Sequence, residues 1–159
     1  NDGELANQLA HPRHGVEKTY HVQVAGHITP EVLAQARRGI HTSEGKMQFV
    51  GAKIKSRHKK STILEVVLDE GKNREIRRVL AALDHKVQKL TRVAVGPVKL
   101  GEMPAGAYRP LTREEVRALR DSVSAPDATV RRGTPKRRKP ARSKPAKAAA
   151  TSPKRRIIQ

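Results

Sequence analysis

Apolar residues recur along the first part of the chain in two different rhythms. In EKTYHVQV, Glu17 to Val24, the residues Tyr20, Val22 and Val24 alternate with polar neighbours, which predicts a strand with one covered face. VGAKIKSR (50–57) and STILEVVLDEG (61–71) predict two more strands, the second holding the apolar run Ile63 to Leu68, joined through Arg57-His58-Lys59-Lys60. KVQKLTRVAV, Lys86 to Val95, predicts another, stopped by Gly96-Pro97. The second rhythm is helical. In EGKNREIRRVLAALDHKV, residues Ile76, Val79, Leu80 and Leu83 keep the i, i+3, i+4, i+7 spacing of a core-facing stripe, so a helix is expected from Asn73 to Leu83 with Arg74, Arg77 and Arg78 on its other side.

Punctuation predicts three further helices. Asp2 can cap one running to about Leu9 and ended by His11-Pro12. In HITPEVLAQARRGI, Thr29 suits the cap, Pro30 the first turn and Gly39 a left-handed stop. Thr112-Arg-Glu-Glu forms a capping box for a last helix to about Arg120. Strands and helices alternate irregularly, and there is no GxGxxG or GKS/T phosphate loop. The expected fold class is therefore α+β, a mainly antiparallel mixed sheet with flanking helices.

Composition divides the chain. From Ser122 onward there are 12 basic residues, one acid (Asp127) and half of the ten prolines. Such a segment buries too little apolar surface to offset its ordering entropy, so 1–121 is expected to fold and 122–159 to be a disordered basic tail. Subtracting the tail from the totals of 34 basic and 15 acidic residues leaves 22 and 14 in residues 1–121, a net of +8. Both parts attract polyanions, and nucleic acid is the leading partner class. An anionic membrane is a weak rival, because no apolar run approaches a bilayer's span and the tail lacks interleaved Leu, Phe or Trp. The absence of cysteine excludes disulfides and thiolate sites, and the seven histidines show no HxxxH or HExxH spacing, so no metal site is expected. Nothing resembles a secretory signal, so the cytoplasm is the default location, and a monomer is the simplest expectation. The chain opens on Asn1 as though in mid-structure, which suggests a piece of a longer protein.

Two places carry more chemistry than folding demands. Tyr20 is one of just two tyrosines and a single phenylalanine; it serves either as core packing or as a flat surface on which an unpaired base stacks. The cluster of Arg74, Arg77 and Arg78 is either a solvated face, a grip on RNA phosphates or a partner for a catalytic acid. Residue type alone leaves these alternatives open.

Motif order adds a resemblance. NDGELANQLAHPRHGVEKTYHVQV, then EGKNREIRRVLAALDHKVQKLTRVAVGPVKLG, then AYRPLTREEV together resemble the carboxy-terminal part of bacterial ribosomal RNA pseudouridine synthases of the RsuA/RluB type, over nearly all of residues 1–121. The resemblance implies isomerisation of uridine to pseudouridine without cofactor or metal. It places the nucleophilic aspartate in a GRLDxxTxG motif that precedes the NDGELA segment, so the 159 residues alone are expected to be inactive, and Asp2, lacking the GRL context, is not assigned that role. By the same resemblance Tyr20 is the active-site tyrosine stacking on the flipped uracil, and Arg77 is the partner of the missing aspartate. Arg74 and Arg78, with Lys72, Asn73 and Arg92, become RNA contacts, and Leu90 in KLTR an apolar wall. Large-subunit ribosomal RNA is favoured, because NREIRR and the long basic tail look more like that branch. The competing expectations are a non-catalytic RNA- or ribosome-binding protein on the same scaffold and, from the histone-like tail, a DNA-compacting protein.

Overall fold

The computed structural model describes residues 1–42 and 45–124; of the tail expected to be disordered from 122 onward, 122–124 form the end of a helix and the rest lies outside the described residues. In chain order the elements are α1 (Gly3–Ala10), β1 (Lys18–Ala25), α2 (Pro30–Arg38), β2 (Ile40–Thr42), β3 (Gly45–Met47), β4 (Gly51–His58), β5 (Ser61–Leu68), α3 (Glu75–Ala81), β6 (Val87–Val95), β7 (Val98–Lys99) and α4 (Arg113–Ser124). Five strands form one antiparallel sheet in the order β4-β5-β1-β6-β7, while β2 and β3 pair as a separate hairpin. This is the α+β architecture that the alternating and helical rhythms imply.

Period two decides which face of the sheet is covered. Val22 and Val24 of β1 and Leu64, Val66 and Leu68 of β5 point to one side, where Leu33 and Ala36 of α2, Ile76, Val79 and Leu80 of α3, and Met47 and Phe49 close over them. Burying each large aliphatic side chain contributes about 1.5–3 kcal/mol, so this one layer carries most of the hydrophobic stabilisation. The opposite face holds Thr19, His21 and Gln23, all half-exposed, with Glu65 drawn to Lys53 at 2.8 Å and to His21 at 3.7 Å. A smaller apolar cluster of Leu5, Val16 and Leu119 joins α1 and α4 beside the turn at Gly96. Gly96 has φ +52°, and a Cβ there would sit 3.4 Å from both Val16 and Ser122.

Element ends depart from the sequence pattern where tertiary packing intervenes. The helix expected over Asn73–Leu83 covers only Glu75–Ala81, because Arg74 adopts φ 52°, ψ 27° as the chain swings from β5 onto the sheet, and Asp84 (φ 61°) turns it off again with His85 N–H donating to the Leu80 carbonyl at 2.8 Å. Asp2 caps α1 as expected, accepting from the Leu5 amide at 3.0 Å. Thr29 precedes α2 but its hydroxyl makes no cap bond, and Gly39 takes φ 100°, ψ 143°, outside the left-handed helical region, since the chain passes straight into β2 and a Cβ would run into the Lys46 side chain. The capping box forms: Thr112 Oγ1 accepts from the Glu115 amide at 3.1 Å while Glu115 Oε2 accepts from the Thr112 amide at 2.9 Å. The helix it starts continues to Ser124, one turn beyond the expected end. β2, β3 and β7, of three, three and two residues, are too short to show a period.

Candidate functional site

The register of β1 against β6 arranges the sequence candidates along the covered face. Tyr20 lies opposite Arg92 on one side and Val66 on the other; Val22 lies opposite Leu90, and Val24 opposite Val87. Tyr20 and Leu90 are diagonal neighbours, both partly buried and both packed against the core. Arg92 is exposed beside the phenol-bearing strand. A half-buried tyrosine on a central strand, flanked by an aliphatic and a cation, offers a ring face at the edge of the core. Tyr108, the other tyrosine, is 93% exposed and has no such setting.

Arg77 reaches this face from above. It is half-buried on α3, and its Nη1 donates to the Val87 carbonyl at 3.3 Å. Val87 pairs with Val24, four residues along β1 from Tyr20, so the two anchor points stand about 13 Å apart at about 3.3 Å per residue, with Val22 and Leu90 between them. The structure thus places Tyr20, Leu90, Arg92 and Arg77 on one side of the sheet, and no direct Tyr20–Arg77 contact closes the line. One guanidinium N–H goes to a backbone carbonyl, which leaves the other donors of the fork for a different acceptor.

The remaining basic candidates separate. Arg74 is exposed in its left-handed turn and shares with Arg77 a cleft of about 400 Å³ between α3 and the start of β6. Arg78, expected on the solvated side of the helix, is half-buried and lines no part of that cleft. A seven-residue helix lying flat on a sheet has little fully solvated surface, which accounts for the difference. Lys72 is engaged locally, by Glu70 at 2.7 Å and the Lys46 carbonyl at 3.2 Å. Asn73 is exposed on the preceding turn.

Two buried charges complete the picture, and the sequence candidates did not include them. Lys18 is 6% exposed and its Nζ has no hydrogen-bond partner. Burial lowers its pKa from the ordinary 10.5, repulsion from Arg92 adds to that, and attraction to Asp69 partly offsets it. It stands two residues before Tyr20, hence on the same face, so period two was the available signal. Glu75 is 3% exposed with Oε2 unpartnered, and burial raises its carboxyl above the ordinary 4.5, with Glu70 adding to the rise and Lys72 opposing it. Among the described residues no group of three or more His, Asp or Glu side chains is placed to hold a metal ion, and no helix is long and apolar enough to cross a membrane.

Comparison with known proteins bears on this geometry. Residues 1–82 match the family profile described as RNA pseudouridylate synthase. The chain is 37% identical over 123 residues to an uncharacterized RNA pseudouridine synthase of Aquifex aeolicus (strain VF5), covering 77% of this chain and 49% of that protein. It is 40% identical over 122 residues to ribosomal large subunit pseudouridine synthase B of Bacillus subtilis (strain 168), covering 76% and 50%. A solved structure titled as a crystal structure of pseudouridylate synthase superposes with a TM-score of 0.63 at 33% identity, covering 74% of this chain and 51% of that one. The chain therefore spans about half the length of the curated relatives it matches.

Proposed function

The chain belongs to the RNA pseudouridylate synthase family, and from that premise we propose that it supplies the base-stacking and cationic half of an active site that converts uridine to pseudouridine in ribosomal RNA. The observation that carries the proposal is the shared face: Tyr20 and Leu90 are diagonal on adjacent strands, with Arg77 laid over the same face by α3. Large-subunit ribosomal RNA is the proposed substrate, by the likeness to the Bacillus subtilis protein, and its processing puts the site of action in the cytoplasm.

Each proposed role answers a physical demand of the reaction. A stacked base cannot be attacked, so the target uridine is extruded and held against a flat side chain, and the half-buried Tyr20 ring supplies that surface with Leu90 as its apolar neighbour. Cleaving the C–N glycosidic bond and rejoining carbon 5 to the ribose is divided into easier steps by a carboxylate nucleophile. That carboxylate is proposed to come from the half of the relatives' length that the match does not span. It needs a fixed cation, since a buried carboxylate without one takes up a proton and loses nucleophilicity. Arg77, held by Val87 and with donors to spare, is proposed for it. Arg74, Arg92, Lys72 and Asn73 are proposed to hold the surrounding RNA. Arg78, half-buried, is retained there only as a flanking charge.

The test is a longer protein in which residues 1–159 follow a segment carrying the GRLD aspartate. It should convert uridine in a ribosomal RNA fragment, read by carbodiimide labelling and primer extension, and Arg77→Ala should abolish conversion while leaving the fold intact by circular dichroism. Absence of conversion by the unmutated longer protein removes the proposal. A second reading is a non-catalytic RNA-binding scaffold, for which the net charge of +8 over residues 1–121 is the supporting observation. On that reading RNA binding survives Tyr20→Phe and Arg77→Ala unchanged and no conversion accompanies it.

A further inference from the structure

The corner between α3 and β6 concentrates donors without acceptors. The cleft there, about 400 Å³, is lined by Arg74, Arg77, Ala81, Asp84, His85, Lys86 and Val87. Three of these are permanent cations and one is an acid, yet none of the cations pairs with Asp84 among the described residues. The side chains of Arg74 and Lys86 are exposed and make no hydrogen bond or ion pair among the described residues, while Arg77 spends a single N–H on the Val87 carbonyl. Two cations on the opposite face of the sheet do find partners: Lys53 binds Glu65 at 2.8 Å and Lys55 meets His21 at 3.1 Å. Like charges converge on a concavity that this chain leaves unfilled.

Backbone conformation reinforces the point. Arg74 and Asp84 are the two non-glycine residues with positive φ among those described, and both stand on this rim. For Asp84 folding supplies a reason, since its turn closes the C-terminal end of α3. Arg74 has no such account: its side chain makes no cap bond, and the left-handed conformation costs a residue with a Cβ on the order of 1 kcal/mol or more. The conformation begins α3 one residue after Arg74, and the Arg74 side chain still lines the cleft that Arg77 lines.

We propose that this cleft is a phosphodiester subsite, in which Arg74 and Lys86 grip the RNA backbone next to Arg77, whose spare donors are left to the carboxylate. Guanidinium forks match a phosphate's paired oxygens, and Lys86 adds a point charge from the first residues of β6's approach. His85, half-buried in the same lining, supplies a ring N–H to the same anion. The site rests on RNA being the partner, as proposed above, but not on catalysis.

The test therefore reads contact directly. The 159-residue chain is treated with an amine-reactive reagent with and without a single-stranded RNA oligonucleotide, binding being verified by anisotropy, and lysine modification is quantified by mass spectrometry. Lys86 is expected to become several-fold less reactive on RNA addition, while Lys53 and Lys55 on the opposite face keep their reactivity. The variant Arg74→Ala,Lys86→Ala should lower the slope of log affinity against log salt by about 0.7, the worth of one phosphate contact on a single strand. Asp84→Asn, which removes the acid, should tighten binding. Bound RNA that leaves Lys86 as reactive as before, or a double variant with an unchanged salt slope, overturns the subsite. Protection of Lys86 in a longer protein that converts no uridine would sink the enzymatic reading and leave the subsite standing.

Discussion

Glu75→Gln is expected to make the protein more stable at neutral pH. The carboxyl is 3% exposed, its Oε2 has no partner, and burial is the leading cause of its raised pKa. The cost of holding it at pH 7 has a ceiling: it cannot exceed that of protonating a carboxyl whose ordinary value is 4.5, which at about 1.4 kcal/mol per pH unit is about 3.5 kcal/mol. Two effects oppose it. The charge lies in the first turn of α3, worth about 0.3–1 kcal/mol to an anion, and Lys72 attracts it. An amide also leaves a buried N–H without an acceptor, so the net expected gain is about 1–2 kcal/mol. The sign with pH follows from a folded value above the unfolded one: the penalty is absent below about pH 4.5, grows as pH rises toward the folded value and is constant beyond it. Urea unfolding of both proteins at pH 7 and pH 4 measures this, because every other carboxylate cancels in the difference. A Gln variant less stable at pH 7, or a gap of the same size at both pH values, refutes the reasoning.

Lys18→Met removes a buried cation that has no partner and is repelled by Arg92, so the melting temperature should rise by several degrees, a gain of about 1–3 kcal/mol; a fall would show that the ammonium has an acceptor in solution. Gly96→Ala should lose about 1–2 kcal/mol, since φ is +52° and the new Cβ meets Val16 and Ser122 at 3.4 Å, and it should lose more than Gly15→Ala, where φ is +58° with nothing within 4 Å; equal losses would remove the packing part of the argument. Thr112→Ala breaks one arm of the capping box and should cost about 1 kcal/mol, seen as fraying of α4 in amide exchange confined to its first turns.

The periodic elements were legible because burial repeats at the period of the element: β5 and the second half of β1 alternate, and Ile76, Val79 and Leu80 form a stripe that the structure buries. The arginine cluster was legible as chemistry but not as geometry. A periodic projection sets Arg74, Arg77 and Arg78 side by side, whereas the structure turns Arg74 out through a left-handed residue, bonds Arg77 to Val87 and half-buries Arg78. Short strands carry no period, and the cleft lining at His85 and Lys86 depends on a left-handed turn at Asp84, a residue type that tolerates that conformation but more often stands elsewhere. Lys18 could have been placed beside Tyr20 by counting two, yet its polar side chain argues against burial until the neighbouring strands are known.

Lys18 and Glu75 have opposite signs, each is more than nine-tenths buried, and each feels Asp69. They do not pair, although a direct salt bridge would relieve both. An arrangement selected for stability alone would join them or replace them with aliphatic residues, which commonly raises stability. Their positions differ in consequence: Lys18 stands on the Tyr20 face, where a cation attracts RNA, whereas Glu75 adjoins Arg74 at the entry to α3, where a carboxylate opposes a phosphate. Charge held unpaired in a low dielectric acts strongly on whatever is brought next to it. The stability lost at these two positions is offset by burial elsewhere: the aliphatic layer of Val22, Val24, Leu64, Val66, Ile76, Val79 and Leu80 is what lets the fold tolerate both charges.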